Sequence, residues 1–323
     1  MTMEVLQPGL LSLLQDSGRY GQQRIGLTTG GPLDLQAYLL CQRLLGNERN
    51  ATAIEISFGG LVLQAATNTH ICVTGASLAL TINDQKKSLW QVHPVQTGDR
   101  ISLGYTDAEG RAGCRSYLGV AGGFAIEAQF GSSATVVRES IGGIGGRALT
   151  TGDKLPCKAN SDTILRQLPQ KYWPNYSGDL ILRLIPGYQQ AAFSKREQQR
   201  FFSASYRVSE RCDRMGYCLE GPAISCNING ILSEGICFGA VQIPADGQPI
   251  VLLNDRQTIG GYPKIGAVLS LDVARLAQSR PGTEVCFCPI SIEEAHNALH
   301  LAAYRNEHLP LPELAPSEGA SES

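Results

Sequence analysis

The densest group of side chains that could do chemistry lies between Gly239 and Pro263. A short apolar run, residues 249–253, is bounded by turn formers and predicts a buried strand. Asn254, Asp255 and Arg256 follow it directly, so the strand would present an amide, an acid and a base at one edge. An Asp beside an Arg can keep a carboxylate ionised and bind an incoming anion in a forked geometry. The segment therefore predicts a recognition site for a small polar molecule.

The residues around this strand are also typical of a simple hairpin. Gly260 and Gly261 would let backbone amides approach ligand oxygens, but glycines also supply the positive φ angles of turns. Lys264 follows closely enough to reach the same ligand, and a lysine there is as easily solvated. Asp16 and Arg19 could equally form a charged turn or contact a ligand. Spacing alone leaves both interpretations open, and the density of uncharged polar groups favours a site.

A run of four glycines, Gly142, Gly143, Gly145 and Gly146, ends at Arg147. It could wrap a phosphate with backbone amides and one guanidinium. A hairpin tip explains the same glycines more simply, and we favour that interpretation. The sequence contains no Walker-type phosphate loop, no strand-linked dinucleotide fingerprint, no nucleophile elbow and no HExxH helix. Any nucleotide would therefore bind in an unorthodox mode.

Composition narrows the class of protein. The 323 residues are long for one hydrophobic core and fit two domains. The net charge is −2 and the sequence has no basic cluster, so it lacks the positive surface expected of a nucleic-acid-binding protein. No apolar segment is long enough to cross a bilayer, and the first residues lack a cleavable signal, so we expect a cytoplasmic protein without a membrane partner. In that reducing compartment the ten cysteines are best explained as small hydrophobes.

Strand signals predominate along the chain, in short apolar or alternating runs separated by Gly, Asn, Asp or Pro. They predict a mainly β protein with a few helices (α+β). Helices are expected at 34–45, where Asp34 is a natural N-cap, and at 188–202, 272–278 and 292–304.

The expected domains follow from the Pro-rich, aperiodic stretch between residues 156 and 178. We place an N-terminal domain at 1–165, a C-terminal domain at 166–305 and a disordered tail at 306–323, since the tail is rich in Pro, Glu and Ser.

The last predicted helix opens with a capping box, Ser291 to Glu294. His296 and His300 are four residues apart on it, with Glu293 one turn before, so a metal-binding face is conceivable. Two histidines near the end of an exposed helix are far more often solvated. We therefore predict no structural metal site on this helix.

Three segments share the pattern of a known family: GAVQIP at residues 239–244, LLNDRQTIGGYP at 252–263, and Asp-Arg-Met-Gly at 213–216. In these motifs the chain resembles the allophanate hydrolase subunit 2 family. Residues 15–19, Gln-Asp-Ser-Gly-Arg, and 30–34, Gly-Gly-Pro-Leu-Asp, extend it to the amino-terminal half. The likeness runs from about residue 5 to residue 287. Two positions depart from the family pattern: Cys212 stands for a serine and Cys218 for an arginine, which leaves their roles open.

This family is also described as biotin-dependent carboxyltransferase-like, and it includes the C subunits of 5-oxoprolinases. The resemblance implies two cyclophilin-like β-barrel-type domains. It also implies one component of an ATP-dependent 5-oxoprolinase, an amide-bond hydrolase active only as a complex. Together with the B subunit, such a component activates the lactam of 5-oxoproline using ATP and Mg²⁺. A third protein, the A subunit, then completes hydrolysis to L-glutamate.

The implied chemistry suggests roles for the polar residues. Developing phosphoryl charge needs cationic donors, which Arg256, Arg214 and Lys264 could supply. Asp255 or Asp213 could hold the metal or orient the neighbouring arginine. These five are our predicted catalytic residues. The predicted substrate-binding residues are Gln242, Gln257, Thr258, Tyr262, Asp16, Arg19 and Asp34, with Arg19 a candidate partner for the lactam's carboxylate.

Two alternatives stay open within the same family. One is transfer of a carboxyl group from carboxybiotin, as in urea amidolyase, which needs a biotin-binding groove and a separate biotin carrier. We expect such a groove to show more apolar surface than the polar segments around residue 255 offer. The other is a purely regulatory subunit, since some family members bind and control a kinase.

Overall fold

The computed structural model describes residues 1–106, 113–160, 162–228 and 230–314, and over these ranges the chain is mainly β with four α-helices. The prediction of a mainly β protein with a few helices is confirmed. The helices are α1 (Leu35–Leu45), α2 (Lys195–Ser203), α3 (Ser270–Ala277) and α4 (Ile292–His308). The strands of the amino-terminal half are β1 (Thr2–Pro8), β2 (Leu11–Gln15), β3 (Ala53–Ser57), β4 (Leu61–Ala65), β5 (Thr69–Gly75), β6 (Leu80–Ile82), β7 (Gln85–Lys87), β8 (Val92–Val95), β9 (Arg100–Leu103), β10 (Arg115–Val120) and β11 (Lys154–Pro156). Those of the carboxyl-terminal half are β12 (Leu180–Pro186), β13 (Ser205–Cys212), β14 (Gly216–Glu220), β15 (Glu234–Gly235), β16 (Ala240–Gln242), β17 (Ile250–Leu252), β18 (Ile259–Gly260), β19 (Lys264–Val268) and β20 (Glu284–Pro289).

Two sheets build the amino-terminal half. One has six strands in the order β11-β1-β4-β9-β6-β7, and the other has five in the order β2-β3-β10-β5-β8. Helix α1 packs against β5 and β10. Every residue of β5 and β10 is buried, so neither strand alternates between buried and exposed side chains. One hydrophobic cluster fills this half, from Met3 to Leu168.

A closed barrel of seven strands forms the carboxyl-terminal half, in the order β12-β19-β16-β17-β14-β13-β20. Strands β12 and β20 pair in parallel, and the rest of the barrel separates them along the chain. A second hydrophobic cluster fills it, and α2 and α3 cover its outside against β20 and β12. Leu33, from the amino-terminal half, belongs to this second cluster. The loop before α1 therefore inserts into the other half of the molecule.

Local signals account for the helix ends. Asp34 caps α1 by accepting a 3.0 Å hydrogen bond from the backbone N–H of Ala37, and Gly46 ends the helix in a left-handed conformation. Ser291 and Glu294 form the capping box expected at the start of α4. The predicted second helix is shorter than expected: a 3-10 turn at Gln190–Ala192 precedes α2.

The end of the described chain departs from the prediction of a disordered tail from residue 306. Helix α4 runs to His308, and Leu309 and Leu311 then pack against the amino-terminal core. The backbone N–H of Leu314 donates to the carbonyl of Leu165 at 2.7 Å. These apolar contacts hold the segment in place despite its polar composition. Residues 315–323, which the same prediction covers, lie outside the described residues.

The glycine run at residues 142–146 is part of a compact turn. The backbone N–H groups of Gly142, Gly143 and Gly146 donate to Gln129, Ser133 and Gly142 respectively, at 2.8 Å each. Arg147 forms a two-pronged salt bridge with Asp153, at 2.8 Å for both contacts. These donors serve the protein itself, so the turn accounts for the motif without a phosphate. The backbone amides of Gly142, Gly143 and Gly146 are therefore not free to bind a phosphate.

No helix among the described residues is long and apolar enough to span a membrane.

The glycine turn at residues 142–146 can be tested with two matched variants, one at Gly142 and one at Gly145. Both have positive φ, 75° and 63°, so alanine is strained at either position. A Cβ on Gly142 would also lie 1.9 Å from the carbonyl oxygen of Ala134, whereas nothing lies within 4 Å of one on Gly145. We expect Gly142→Ala to cost about 2 kcal/mol more than Gly145→Ala in urea unfolding. Equal losses would show that the close packing is unimportant.

Candidate functional site

A buried ion cluster joins the two halves, with Arg214 at its centre. Its guanidinium forms a bidentate pair with Asp255, Nε to Oδ2 at 2.9 Å and Nη2 to Oδ1 at 3.0 Å. It also contacts the carboxylate of Glu55 and donates to the carbonyl of Gly31 at 2.7 Å. Arg214, Asp255 and Glu55 are 7%, 6% and 1% exposed. Burial opposes the charge, but the two carboxylates raise the pKa of Arg214 above its ordinary value.

Short elements of both halves position this cluster. Arg214 lies in the turn between β13 and β14, and the carboxylate of Asp213 accepts from the backbone N–H groups of Met215 and Gly216 at 2.7 and 3.1 Å. Asp213 is thus a turn-forming residue. Glu55 lies on β3, where Tyr117 on β10 donates a 2.8 Å hydrogen bond to it. The predicted catalytic residues Arg214, Asp255 and Asp213 therefore have structural partners for their charged groups.

A second polar network crosses the same boundary through Gln278, just after α3. Its Oε1 accepts from the backbone N–H groups of Cys114 and Arg115 at 3.0 and 2.8 Å. Its Nε2 donates to Asp34 at 2.9 Å, and the hydroxyl of Tyr176 donates to the same carboxylate oxygen at 2.8 Å. Burial raises the pKa of Asp34. Asp34, predicted to bind substrate, instead caps α1 and links the halves.

A cleft of about 500 Å³ opens between the halves beside the ion cluster. Residues of the amino-terminal half, of the barrel and of α4 line it together. Ser17, Tyr20, Gln23, Thr29, Gln36, Asn254, Arg256 and Ser270 are among its polar side chains. Its apolar side chains include Leu33, Leu35, Leu39, Phe238, Leu271, Ala274, Leu299, Ala302 and Ala303. Arg49 and Glu307 also line the cleft, but more of its surface is apolar than polar, which contradicts the sequence-based expectation that this region offers little apolar surface.

Arg256 reaches this cleft, unlike Arg214. Its Nε and Nη1 donate to the carbonyls of Ile236 and Leu253, both at 3.2 Å, and its guanidinium lies over the ring of Phe238, 5.9 Å from the centroid. Among the described residues no hydrogen-bond acceptor pairs with its Nη2. Burial lowers the pKa of Arg256 from its ordinary value. The group can therefore donate to a ligand oxygen.

Neighbouring positions on this segment face different surroundings. Asp255 pairs with Arg214 inside the ion cluster, whereas Asn254 and Arg256 line the cleft. The expected orientation of Arg256 by Asp255 is therefore not what the structure shows. Asn254 donates from Nδ2 to the carbonyls of Gly30 and Pro32 at 2.9 and 3.0 Å. Its Oδ1 is buried with no hydrogen-bond partner among the described residues.

Lys264 belongs to a different cluster at the edge of the barrel. Its ammonium group pairs with Glu234, which also accepts hydrogen bonds from Tyr188 and, at 2.8 Å, from Gln189. Hydrogen bonds from Lys264 and Tyr188 lower the pKa of Glu234. Gln242 is buried and pairs with Lys264 across β16 and β19.

The remaining predicted binding residues are dispersed. Gln257 and Tyr262 are exposed and Thr258 is half-buried, and all three are absent from the lining of the cleft. Asp16 accepts from Ser132 Oγ at 2.5 Å and from the backbone N–H of Ser133 at 2.7 Å. Arg19 donates to carbonyls of residues 129, 132 and 134. Asp16 and Arg19 thus hold one loop of the amino-terminal half, as a charged turn would.

Among the described residues no group of three or more His, Cys, Asp or Glu side chains could hold a metal ion. Of the carboxylates proposed for Mg²⁺, Asp255 has both oxygens bound by Arg214, and Asp213 has Oδ1 bound by two backbone amides. Within the described ranges the predicted carboxylates therefore do not gather into a magnesium site.

Sequence reasoning missed several residues of the site. Glu55, Tyr117 and Gln278 join the halves but come from strands or helices with no polar motif nearby. The wall contributed by α4 had a visible signal, since Leu299, Ala302, Ala303 and Asn306 recur at helical spacing. That spacing predicts a buried face, and only the structure shows that the face borders a cleft.

Known proteins are similar to this chain over nearly its whole length. The family described as carboxyltransferase domain, subdomain A and B, matches residues 25–289. The C subunit of 5-oxoprolinase from Escherichia coli is 35% identical over 300 residues, 92% of this chain and 94% of that protein. The C subunit of 5-oxoprolinase from Haemophilus influenzae is 34% identical over 300 residues, 91% and 93% of the two chains.

A solved structure agrees with these sequence matches. The crystal structure of the K. lactis urea amidolyase matches with a TM-score of 0.87 at 26% identity, over 97% of this chain. The match covers 20% of that protein, so this chain is similar to one part of a much longer enzyme.

The ion cluster predicts a large stability effect at Arg214. In Arg214→Ala, Glu55 and Asp255 would stay buried without their cation, so we expect a loss of about 3–5 kcal/mol in urea unfolding. Arg207→Ala is the matched control, because Arg207 pairs with Glu284 at the surface and should cost less than about 1 kcal/mol. Similar losses for both variants would contradict a central role for the cluster.

Proposed function

This chain belongs to the family of carboxyltransferase domains with subdomains A and B, and we propose that it is the C subunit of an ATP-dependent 5-oxoprolinase. The observation that carries the proposal is the 35% identity to the C subunit of the E. coli 5-oxoprolinase across nearly the full length of both chains. In this function the chain works with a B subunit to activate the lactam of 5-oxoproline, and an A subunit takes part in hydrolysis to L-glutamate. We place this assembly in the cytoplasm, where the ten free cysteines suit a reducing environment.

The cleft between the halves is the proposed substrate site. Arg256 supplies the cation that a substrate oxygen would meet, and its place over Phe238 limits its motion. The apolar wall from Leu33, Leu271 and α4 would exclude water and strengthen that contact. The Arg214 cluster would act indirectly, because it fixes the segment that carries Arg256.

ATP and Mg²⁺ are proposed as requirements of the assembled enzyme. Both oxygens of Asp255, Oδ1 of Asp213 and the amides of Gly142, Gly143 and Gly146 are already engaged within the protein. We therefore derive no step through the nucleotide from these residues. Arg256 is the predicted catalytic residue that retains a free donor facing a cavity, and we keep it as the group acting on the substrate.

A second candidate function is carboxyl transfer from biotin. The specific observation in its favour is the apolar lining of the cleft, which a bicyclic ring could fill, together with the match to the urea amidolyase of K. lactis. In that function the same cleft would take the biotin of a separate carrier protein.

Reconstitution separates the two functions. We expect this chain alone to be inactive, and to form a stable complex with its cognate B subunit in size-exclusion chromatography. When the A subunit is also present, ADP formation should require magnesium and 5-oxoproline, and should be indifferent to avidin and to removal of bicarbonate. Turnover that avidin blocks would favour carboxyl transfer, and glutamate release by the isolated chain would contradict the proposed division of labour.

A variant of Arg256 tests the proposed site. Arg256→Ala removes a charge-stabilising donor, so we expect the reconstituted rate to fall about a hundredfold. The same change should lower the melting temperature far less than Arg214→Ala does, because no buried carboxylate among the described residues pairs with Arg256. Arg207→Ala, which removes an exposed arginine paired with Glu284 at the surface, serves as the comparison outside the cleft. A rate loss that only tracks the loss of folded protein would refute the proposed role.

A further inference from the structure

Helix α4 is long but scarcely buried. Of its 17 residues only Ala295 is fully buried, whereas α1 buries seven of its 11 residues. Helix α1 packs closely on β5 and β10, α2 on β20 and α3 on β12, but α4 has no comparable contact with any other described strand or helix. Helices in globular proteins owe most of their stability to the packing of one face. The centre of α4 is therefore held in place by few contacts.

One face of α4 nevertheless carries the pattern of a buried helix. Its residues follow one another at spacings of three and four, which places them on one side of the helix: Ile292, Ala295, Leu299, Ala302 and Asn306. Leu299, Ala302 and Asn306 line the cleft, and Leu299 is still 36% exposed. The face suited to packing thus borders open space.

The other helices that line the cleft also leave apolar side chains uncovered. Leu35 of α1 is 43% exposed, and Leu39 of α1 is half-buried, as are Leu271 and Ala274 of α3. Contact between two such surfaces removes both from water and is favourable. The short side chains of Ala274 and Ala302 would let the helices approach closely. Movement of α4 into the cleft would therefore bury apolar surface on both sides.

The charged residues of the lining are compatible with such a movement. Arg49 belongs to the amino-terminal half and Glu307 to α4, and neither side chain forms a salt bridge or a hydrogen bond within the described part of the chain. An approach of α4 to the amino-terminal half would bring these opposite charges closer together.

Both ends of α4 are anchored. The backbone N–H of Ile290, just before the helix, donates to the carbonyl of Leu184 at 2.9 Å. At the other end, Arg43 donates from Nη2 to the carbonyl of Leu309 at 2.9 Å, and Leu309 packs against the amino-terminal core. The helix can thus shift between its ends without leaving the molecule.

We propose that α4 is a lid. In the free chain its central turns would move between the open position of this structure and a closed position in which its cleft-facing side packs against α1 and α3. The consequence for the activity rests on the proposal that the cleft is the substrate site, because closure around a substrate would exclude water and strengthen its contact with Arg256. The movement itself depends only on the contacts of α4.

The distance between two spin labels follows the lid directly. The labels would be attached to p-acetylphenylalanine at positions 48 and 300, which are both exposed, so that the ten cysteines stay unmodified. Double electron–electron resonance on the isolated, full-length chain then gives the distribution of distances between α4 and the amino-terminal half. Ala302→Asp places a carboxylate on the cleft-facing side, where closure would desolvate it. We expect the shorter distances to be lost and the mean to lengthen by about 5 Å, half a helix diameter.

Ala298→Asp is the matched control. Ala298 is half-buried like Ala302 and lies on the same helix, but it is not part of the cleft lining, so the distances should stay as in the unsubstituted chain. Ala303→Asp, at an exposed position of the lining that tolerates a charge, should act as Ala302→Asp does. Melting temperatures show that each variant is folded. Distances that neither cleft-facing variant changes would overturn the inference, and so would an equal shift in Ala298→Asp.

The outcome is distinguishable from a failure of the proposed function, because the measurement uses no partner protein, no ATP and no substrate. A lid that closes, in a chain whose reconstituted complex forms no ADP with 5-oxoproline, would refute the 5-oxoprolinase assignment alone. Turnover of 5-oxoproline together with distances that all three variants leave unchanged would refute the lid alone.

Discussion

The buried pairing of Arg214 with Asp255 and Glu55 is the constraint on which the arrangement of the two halves depends. One guanidinium contacts a strand of the amino-terminal half, the segment after β17 and the backbone of the loop before α1. Desolvating three charges is costly, and the cost is offset only while all of them keep their partners. A small shift of one half against the other would break several charged hydrogen bonds at once. The halves are therefore held in one relative position.

This constraint shapes the cleft. Because Asp255 is fixed by Arg214, the residues on either side of it are fixed as well, and both line the cavity between the halves. Leu33 packs in the barrel core, lines the same cleft and lies in the loop whose carbonyls Arg214 and Asn254 bind. Rigid placement of this kind is what a binding site needs in order to hold its polar groups in position. The buried charges thus fix the segment, and their neighbours Asn254 and Arg256 line the cleft.

Helix α4 contributes a third group of residues to the lining and links the barrel to the amino-terminal half. It leaves the barrel after β20, and its carboxyl end is held by Arg43 of α1, which donates to the backbone carbonyls of Asn306 and Leu309. Cations at a helix carboxyl end complement the exposed carbonyls there. Leu309 and Leu311 then join the amino-terminal core. The cleft is consequently enclosed by a helix anchored to both halves.

Sequence patterns by themselves determined the class of fold, the start of α1 and of α4, and the segment in which the candidate site lies. Each of these depends on neighbours along the chain, as in the Asp34 cap or the apolar run before Asn254. Only tertiary structure decided which charged residues face a ligand. Arg214, Asp255 and Arg256 all lie in short polar segments, and their local sequence does not distinguish their roles. Arg214 and Asp255 form one cluster with Glu55, which lies 159 residues before Arg214, whereas Arg256 lines an open cleft. Long-range partners leave no local signature, because a charge is neutralised by whatever the fold brings beside it. The sequence therefore predicted a polar segment that borders the cleft, but not which of its charged residues line that cleft.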